Sequence, residues 1–277
     1  MKKIGILYHP QIETARTLAE EIKELLLKNG VSAWSCSAWD ETNAINMLNG
    51  TELLFTVGGD GTILRAAQVA LTRDIPITGI NMGNLGFMTE LRADESKTEL
   101  FKILDGKGWL DERSMLEVEL PAEYVQQKQY ALNDIVLGRG AVAQIIKIKA
   151  IIDGVFFTTY NSDGVIISTS TGSTAYSLSA GGPILHPYAR EFLLTPILPH
   201  LGLSNSHVLP SNVTVKLILR SKVPATISID GHTNITISDN TEVIVKQSQK
   251  VTRFMRIHPM DSFYRTLEQK LKGKITI

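Results

Sequence analysis

Near Arg113 the spacing of apolar residues changes from a helical to a strand-like period, and that switch constrains the fold of this 277-residue chain more than any other feature. Before it, short apolar runs alternate with helix-like segments. Residues 3–9, 31–37, 53–57 and 75–81 read as strands, and 41–49 and 63–71 as helices. In residues 14–28, positions 15, 18, 19, 22, 25 and 26 trace one helical face that Asn29-Gly30 closes. Ser96 and Glu99 read as a capping box opening one more helix, ended by Gly106 and Gly108. Such alternation predicts a mainly parallel, doubly wound sheet, because parallel neighbours need crossover connections.

After the switch the runs are 114–120, 130–137, 145–152, 155–160, 164–169, 213–219, 225–230, 233–237, 242–247 and 252–257. Asp153-Gly154 marks a hairpin between two of them. Ile146, Ile148 and Ala150 alternate with Lys147 and Lys149, the pattern of a half-buried strand. The fold class expected is therefore α/β plus all-β: a doubly wound domain over residues 1–112 followed by a β-sandwich over 113–257. Residues 258–277, with Phe263, Leu267 and Leu271 on one helical face, are expected to return to the first domain.

Within the first domain the run at 53–57 stops at Gly58-Gly59-Asp60-Gly61-Thr62. This puts a carboxylate at a strand-to-helix elbow. Three glycines permit unusual dihedrals and close approach of a ligand to the N–H groups, and the helix points its positive end, with the Thr62 hydroxyl, at an anion such as phosphate. A tight turn whose Asp bonds its own backbone is the competing reading. A second glycine-spaced loop, residues 81–87, follows another strand, so both loops can face one crevice, although ordinary turn chemistry explains it equally well. Neither a P-loop nor a Gly-x-Gly-x-x-Gly after the first strand is present.

Residues 161–183 are too rich in hydroxyls and glycine for a core. Serine and threonine hydroxyls with one aromatic, Tyr176, suit hydrogen bonding to and stacking on a heterocycle; the alternative is a surface loop with a helix N-cap at Ser173 or Thr174. Lys plus Arg and Asp plus Glu both number 28, which removes a global electrostatic argument for nucleic acid or an anionic membrane. The apolar stretch 192–203 is interrupted by Pro196 and Pro199 and is too short to span a membrane. One cysteine, Cys36, excludes a disulfide framework and suits the cytoplasm. The histidines show no metal-ligand spacing, and no Ser-His-Asp order is legible.

Taken together, residues 58–62, 81–87, 132–134 and 163–183 resemble the bacterial NAD kinase family, in the family's order and over nearly the whole chain. Gly-Gly-Asp-Gly alone is shared with diacylglycerol kinases, sphingosine kinases and phosphofructokinases; residues 171–183 separate them. The resemblance implies transfer of the ATP γ-phosphoryl group to the 2′-hydroxyl of the adenosine ribose of NAD, giving NADP, with a divalent metal such as magnesium and Asp60 as general base. By position it implies that Gly58, Gly59, Gly61 and Thr62 meet the ATP phosphates. Gly61, Arg65, Asn133, Asp134, Gln144, Asp163, Thr174, Ala175, Tyr176, Ser177, Leu178, Ser179 and His232, besides Asp60, are the implied NAD contacts. Of these, Asn133 and Asp134 would meet ribose hydroxyls, and residues 174–179 would hold adenine with Tyr176 stacking. Asp163 would lie near the nicotinamide end. Family members form homodimers or homotetramers, and neither nucleic acid nor membrane is an implied partner. Ser170 stands where relatives often have proline, which loosens the loop; Asn161 and Gln144 also depart from the common pattern. A lipid kinase and a non-catalytic NADP sensor are the alternatives, the first lacking a membrane-facing element and the second at odds with Asp60.

Overall fold

The computed structural model describes residues 1–83, 86–140, 144–200, 204–259, 263, 264, 267 and 268. It divides into two compact units, Met1–Glu112 with Thr252–Ile277, and Arg113–Val251.

The first unit contains β1 (Lys3–Tyr8), α1 (Glu13–Lys28), β2 (Ser32–Ser37), α2 (Glu41–Met47), β3 (Leu53–Gly58), α3 (Asp60–Leu71), β4 (Ile77–Asn81), β5 (Leu91–Arg92) and α4 (Ala93–Leu104). Its strands pair in parallel in the order β2-β1-β3-β4, with β5 joining β4. Helix α1 buries Ala15, Leu18, Ala19, Ile22 and Leu26 against this sheet, which is the face the periodicity predicts. All six residues of β3 are buried because strands flank it on both edges and helices α1 and α3 pack on it. Burying one side chain such as Phe55 there contributes about 1.5–3 kcal/mol. The central strand thus rigidly supports whatever follows its carboxyl end.

Two local expectations need correction. Helix α4 starts at Ala93, where the Glu95 carboxylate accepts from the Arg92 amide (2.9 Å); Ser96 lies inside the helix and donates to the Ala93 carbonyl (2.8 Å), so the cap is one turn earlier. Helix α3 begins at Asp60 rather than Ile63, which places the carboxylate on the helix itself. Beyond β-strand residue Arg256, Phe263, Tyr264, Leu267 and Glu268 are helical, and the Phe263 ring lies 6.5 Å from Phe87 of the same unit. Leu271 lies outside the described residues.

The second unit is antiparallel. Its elements are β6 (Trp109–Glu119), β7 (Gln129–Ala131), β8 (Asp134–Arg139), β9 (Ile146–Ile152), β10 (Val155–Ser162), β11 (Gly164–Ser168), α5 (Tyr176–Ser179), β12 (Phe192–Ile197), β13 (His207–Leu209), β14 (Thr214–Arg220), β15 (Ala225–Ile229), β16 (Thr233–Ile237) and β17 (Glu242–Arg256). The first residues of β6 and the last of β17 count with the first unit. One sheet runs β13-β12-β11-β8-β15-β16, and β10, β9, β14 and β17 pair in that order in the other. Leu137, Val165, Phe192 and Ile227 from the first sheet share one core with Ile148, Leu217 and Val243 from the second, as a sandwich requires. Asp153 and Gly154 both take positive φ (47° and 80°), the hairpin geometry expected of Asp-Gly.

Here too the sequence misleads in places. The run 130–137 is two strands, β7 and β8, separated by Leu132 and Asn133. The runs 242–247 and 252–257 are one long strand. The stretch at 192–203 contains β12 despite Pro196. The carbonyl of Ile197 accepts from Asp163 on the β11 side, so Pro196 turns its missing N–H the other way, where the described β13 ladder covers just residues 192–194. Among the described residues no helix is long and apolar enough to cross a membrane.

Candidate active site

Asp60 is the first residue of α3, immediately beyond the buried β3. Its carboxylate reaches across to another loop. Oδ2 accepts from the Phe87 amide at 3.1 Å and Oδ1 from the Met88 amide at 3.3 Å, so the loop after β4 wraps it. A Cβ on Gly86 would overlap that carboxylate, which is why this position requires glycine. The loop is braced by Asn81, whose Oδ1 accepts from the Gly83 amide (2.6 Å), and by Thr89, whose hydroxyl accepts from the Gly86 amide (2.8 Å). The two glycine loops therefore do face one another. Asn84 and Leu85 of the second lie outside the described residues.

The elbow glycines act differently from expectation. Neither Gly58, Gly59 nor Gly61 has positive φ, and Gly59 is plainly extended (φ −113°, ψ −169°). At Gly59 and Gly61 an added Cβ would meet nothing within 4 Å, so the folded chain leaves open space beside them. Gly61 lies in the first helical turn, where an N–H has no intrahelical acceptor and is available to an anion. Gly58 instead packs on Thr62, whose side chain is fully buried, with Oγ1 lacking a partner. The Thr62 hydroxyl is consequently turned inward rather than toward the open side of the elbow. On α3, the Arg65 guanidinium stacks 4.3 Å from the Trp39 ring centroid, and His9 packs on the same indole at 4.5 Å.

In the second unit the break between β7 and β8 is the focal point. Asp230 accepts from three consecutive amides, Leu132 (2.8 Å), Asn133 (2.7 Å) and Asp134 (3.1 Å). From the carbonyl side the Thr169 hydroxyl donates to Leu132 (2.6 Å) and the Thr169 amide to Asn133 (2.9 Å). Gly172 packs so closely on the Asn133 backbone that no side chain fits there. This clamp leaves the buried Asn133 Oδ1 without a hydrogen-bond partner. An unsatisfied buried acceptor suits a hydroxyl donor from a ligand. Asp134, buried beside Asp230, is pushed up to about 7 by desolvation first and by the Asp230 charge second. Burial also raises Asp230, against the pull of its three amides. The three N–H bonds that Asp230 accepts favour its charged form, which opposes ionisation of Asp134 beside it.

Asp230 escaped the sequence reading. Its signal was the Asp230-Gly231 pair between two strands, both at positive φ (49° and 70°), the same hairpin chemistry as Asp153-Gly154. His232 belongs to this cluster, its Nδ1 lying 3.2 Å from the Asp230 carbonyl.

The hydroxyl-rich stretch is core after all. Ser168, Thr169, Ser170, Thr171, Ser173 and Ser177 are buried. Several hydroxyls bond main chain: Ser170 to Pro187 O (3.1 Å), Ser173 to Ser170 O (2.6 Å) and, half-buried beside them, Thr174 to Thr171 O (3.2 Å). Ser170 therefore ties the turn that its replacement of proline was expected to loosen. A 3-10 turn, Gly172–Thr174, precedes the single-turn α5, and neither Ser173 nor Thr174 is an N-cap. Ser177 is buried against Thr195 (3.2 Å between hydroxyls), Ala175 and Leu178 are half-buried, and Ser179 is exposed. Tyr176 stands out with 46% of its surface exposed.

Two expected contacts lie apart from this cluster. Asp163 precedes the end of β11 opposite to Ser168, which pairs with Asp134, and it forms an ion pair with Arg139 at 3.0 Å. Gln144 is exposed just before β9. Asp60 and its loops belong to the first unit, and every residue from Asn133 to His232 to the second. Among the described residues no three His, Cys, Asp or Glu side chains gather into a metal cage.

Known proteins carry the same pattern. Residues 32–108 match the ATP-NAD kinase N-terminal domain and 132–257 the ATP-NAD kinase C-terminal domain. A protein named NAD kinase from Dehalococcoides mccartyi (strain CBDB1) is 47% identical over 274 residues, covering 98% of this chain and 96% of that one. Yeast NADH kinase in complex with NADH superposes with a TM-score of 0.85 at 25% identity, covering all of this chain and 89% of the other. An NAD kinase from Archaeoglobus fulgidus in complex with ATP gives 0.80 at 26% identity, covering 98% and 99%.

Proposed function

The chain belongs to the NAD kinase family, and we propose on that premise that it transfers the γ-phosphoryl group of ATP to the 2′-hydroxyl of the adenosine ribose of NAD, with Asp60 as general base. The observation that carries the role of Asp60 is its carboxylate, fixed by two amides of a facing loop at the end of a buried strand and beside open glycine backbone. A ribose hydroxyl is a weak nucleophile. Asp60 orients it and accepts its proton as the new O–P bond forms and the bond from the γ-phosphorus to the β-bridging oxygen breaks, releasing ADP. The amides at Gly59 and at Gly61 in the first turn of α3 receive phosphate oxygens, while Gly58, held in the β3–β4 ladder, brings the chain to that point. Given its burial, Thr62 supports the elbow rather than touching phosphate.

The clamped 132–134 segment would receive ribose hydroxyls at Asn133 Oδ1 and Asp134, and exposed Tyr176 would stack on adenine, flanked by Thr174, Ala175, Leu178 and Ser179. Arg65, presented by Trp39, supplies a positive charge on α3. Asp163 and Gln144 are the more distant contacts of this reading, and His232 acts beside Asp230. A magnesium ion would be held chiefly by phosphate oxygens and water, because that hard cation seldom needs an all-protein cage. When bound it offsets phosphate charge. The proposal includes a cytoplasmic location, consistent with the free thiol of Cys36, and a homodimer or homotetramer. Val155 and Phe156, well exposed on the terminal strand β10, support such self-association.

The test is NADP formation by purified protein given NAD, ATP and magnesium, with NADH and inorganic polyphosphate as alternative substrates. Product from NAD and ATP is the expected result. Dinucleotide binding without product under any condition would move the protein to the sensor reading.

A further inference from the structure

We propose that Arg256 is a positioning residue for the reaction, holding the peptide segment whose amides fix the Asp60 carboxylate; the proposal rests on the reading of Asp60 as base. Phe87 and Met88 donate their amides to Asp60. From its other side the same segment is gripped by Arg256. Its Nη1 donates to the Met88 carbonyl (2.9 Å), the Thr89 carbonyl (3.3 Å) and Glu90 Oε2 (3.1 Å), while Nε donates to Asp111 Oδ2 (3.2 Å). The remaining Glu90 oxygen accepts from the amides of Ile257 (2.8 Å) and His258 (2.7 Å) and lies 2.9 Å from His258 Nδ1. Residues 87–90 are thus bonded on one side to the carboxylate and on the other to the end of β17, all within the first unit.

The three charged groups are buried, with residue exposures of 6% for Arg256, 7% for Glu90 and 2% for Asp111. As a mere fastener such a network is a poor choice, because desolvating the charges offsets most of their attraction and apolar packing would serve as well. What a planar guanidinium adds is direction. It fixes the Met88–Thr89 peptide, the unit directly following the Phe87–Met88 peptide whose N–H is aimed at Asp60. Thr78 offers an internal comparison, since its hydroxyl ties the same strand end by donating to the Met255 carbonyl (2.9 Å), a bond that does not involve residues 87–90.

The experiment compares Arg256→Lys, Thr78→Val, Asp60→Asn and the Arg256→Lys/Asp60→Asn double variant by kcat, KM, thermal midpoint and hydrogen exchange at the Met88 amide. Arg256→Lys keeps the charge but not the fork. It is expected to lower kcat by about 10²-fold, the scale of a displaced catalytic group, with KM for NAD and ATP nearly unchanged and faster Met88 exchange. Thr78→Val is expected to lower the thermal midpoint while leaving kcat and Met88 exchange as in the parent. In the Asp60→Asn background Arg256→Lys should cost little more, because the two act as one device. Parent-like kcat and Met88 exchange in Arg256→Lys would overturn the proposal, as would a kcat loss that merely follows the thermal midpoint. Full turnover by Asp60→Asn sinks the base reading instead, and Met88 exchange still decides whether Arg256 holds that peptide. If Arg256→Lys folds poorly, Glu90→Gln carries the same expectations.

Discussion

The two site-bearing regions solve the placement of polar groups in opposite ways. At the elbow of the first unit, backbone amides from one loop hold a side chain from another, so that Asp60 is fixed by Phe87 and Met88. At the β7–β8 break of the second unit, side chains hold backbone: Asp230 takes the amides of 132–134 and Thr169 takes a carbonyl. The first arrangement fixes one carboxylate beside open glycine, whereas the second builds a stiff platform with Asn133 Oδ1 unpartnered and Tyr176 exposed. Changes at the elbow should therefore register in turnover, and changes at the platform in affinity or stability.

The largest effect belongs to Asp60→Asn, expected to lower kcat by about 10²–10⁴-fold, the contribution of a positioned base, measured as NADP formation at saturating substrates. Gly86→Ala follows, since its methyl overlaps the carboxylate; a kcat loss of about 10²-fold at little cost in KM would sharpen the contrast, and an equal rise in KM would blur it. For the platform, Asp230→Ala leaves three buried amides unpaired and should cost at least about 1–3 kcal/mol in denaturant unfolding, together with weaker NAD binding. Tyr176→Ala should weaken NAD binding by about 1–3 kcal/mol and leave the unfolding midpoint in place, because the ring is exposed in the folded chain.

Asp134 adds a pH dependence to the platform. Its folded pKa, about 7, lies above the ordinary carboxyl value, so the native chain retains a proton that the unfolded chain gives up. The associated stability is fully present below the unfolded pKa and is lost as pH rises through about 7. Ribose hydroxyls donating to the ionised form should bind more tightly as pH rises through the same window. Asp134→Asn should flatten both trends, read by thermal unfolding and by calorimetric titration of NAD across that window.

Much of this was legible in the chain because apolar periodicity reports burial directly. The strands and helices of the first unit follow it, as α1 does with Ala15, Leu18, Ala19 and Ile22. What periodicity cannot report is which polar groups satisfy one another. Residues 168–173 looked too polar for a core, yet hydroxyl-to-carbonyl bonds help bury them. Asp230 and Arg256 were invisible for a related reason: their partners lie 96–98 and 145–168 residues away. Asp60 drew attention because glycines crowd around it in sequence, although the glycine that cradles its carboxylate, Gly86, comes from the other loop.

Calorimetric titration of NAD into Asp60→Asn, beside the parent, tests the division of labour most directly. The account predicts nearly unchanged affinity in a variant that hardly turns over. Affinity falling in step with turnover would contradict it, making Asp60 a binding group rather than the base.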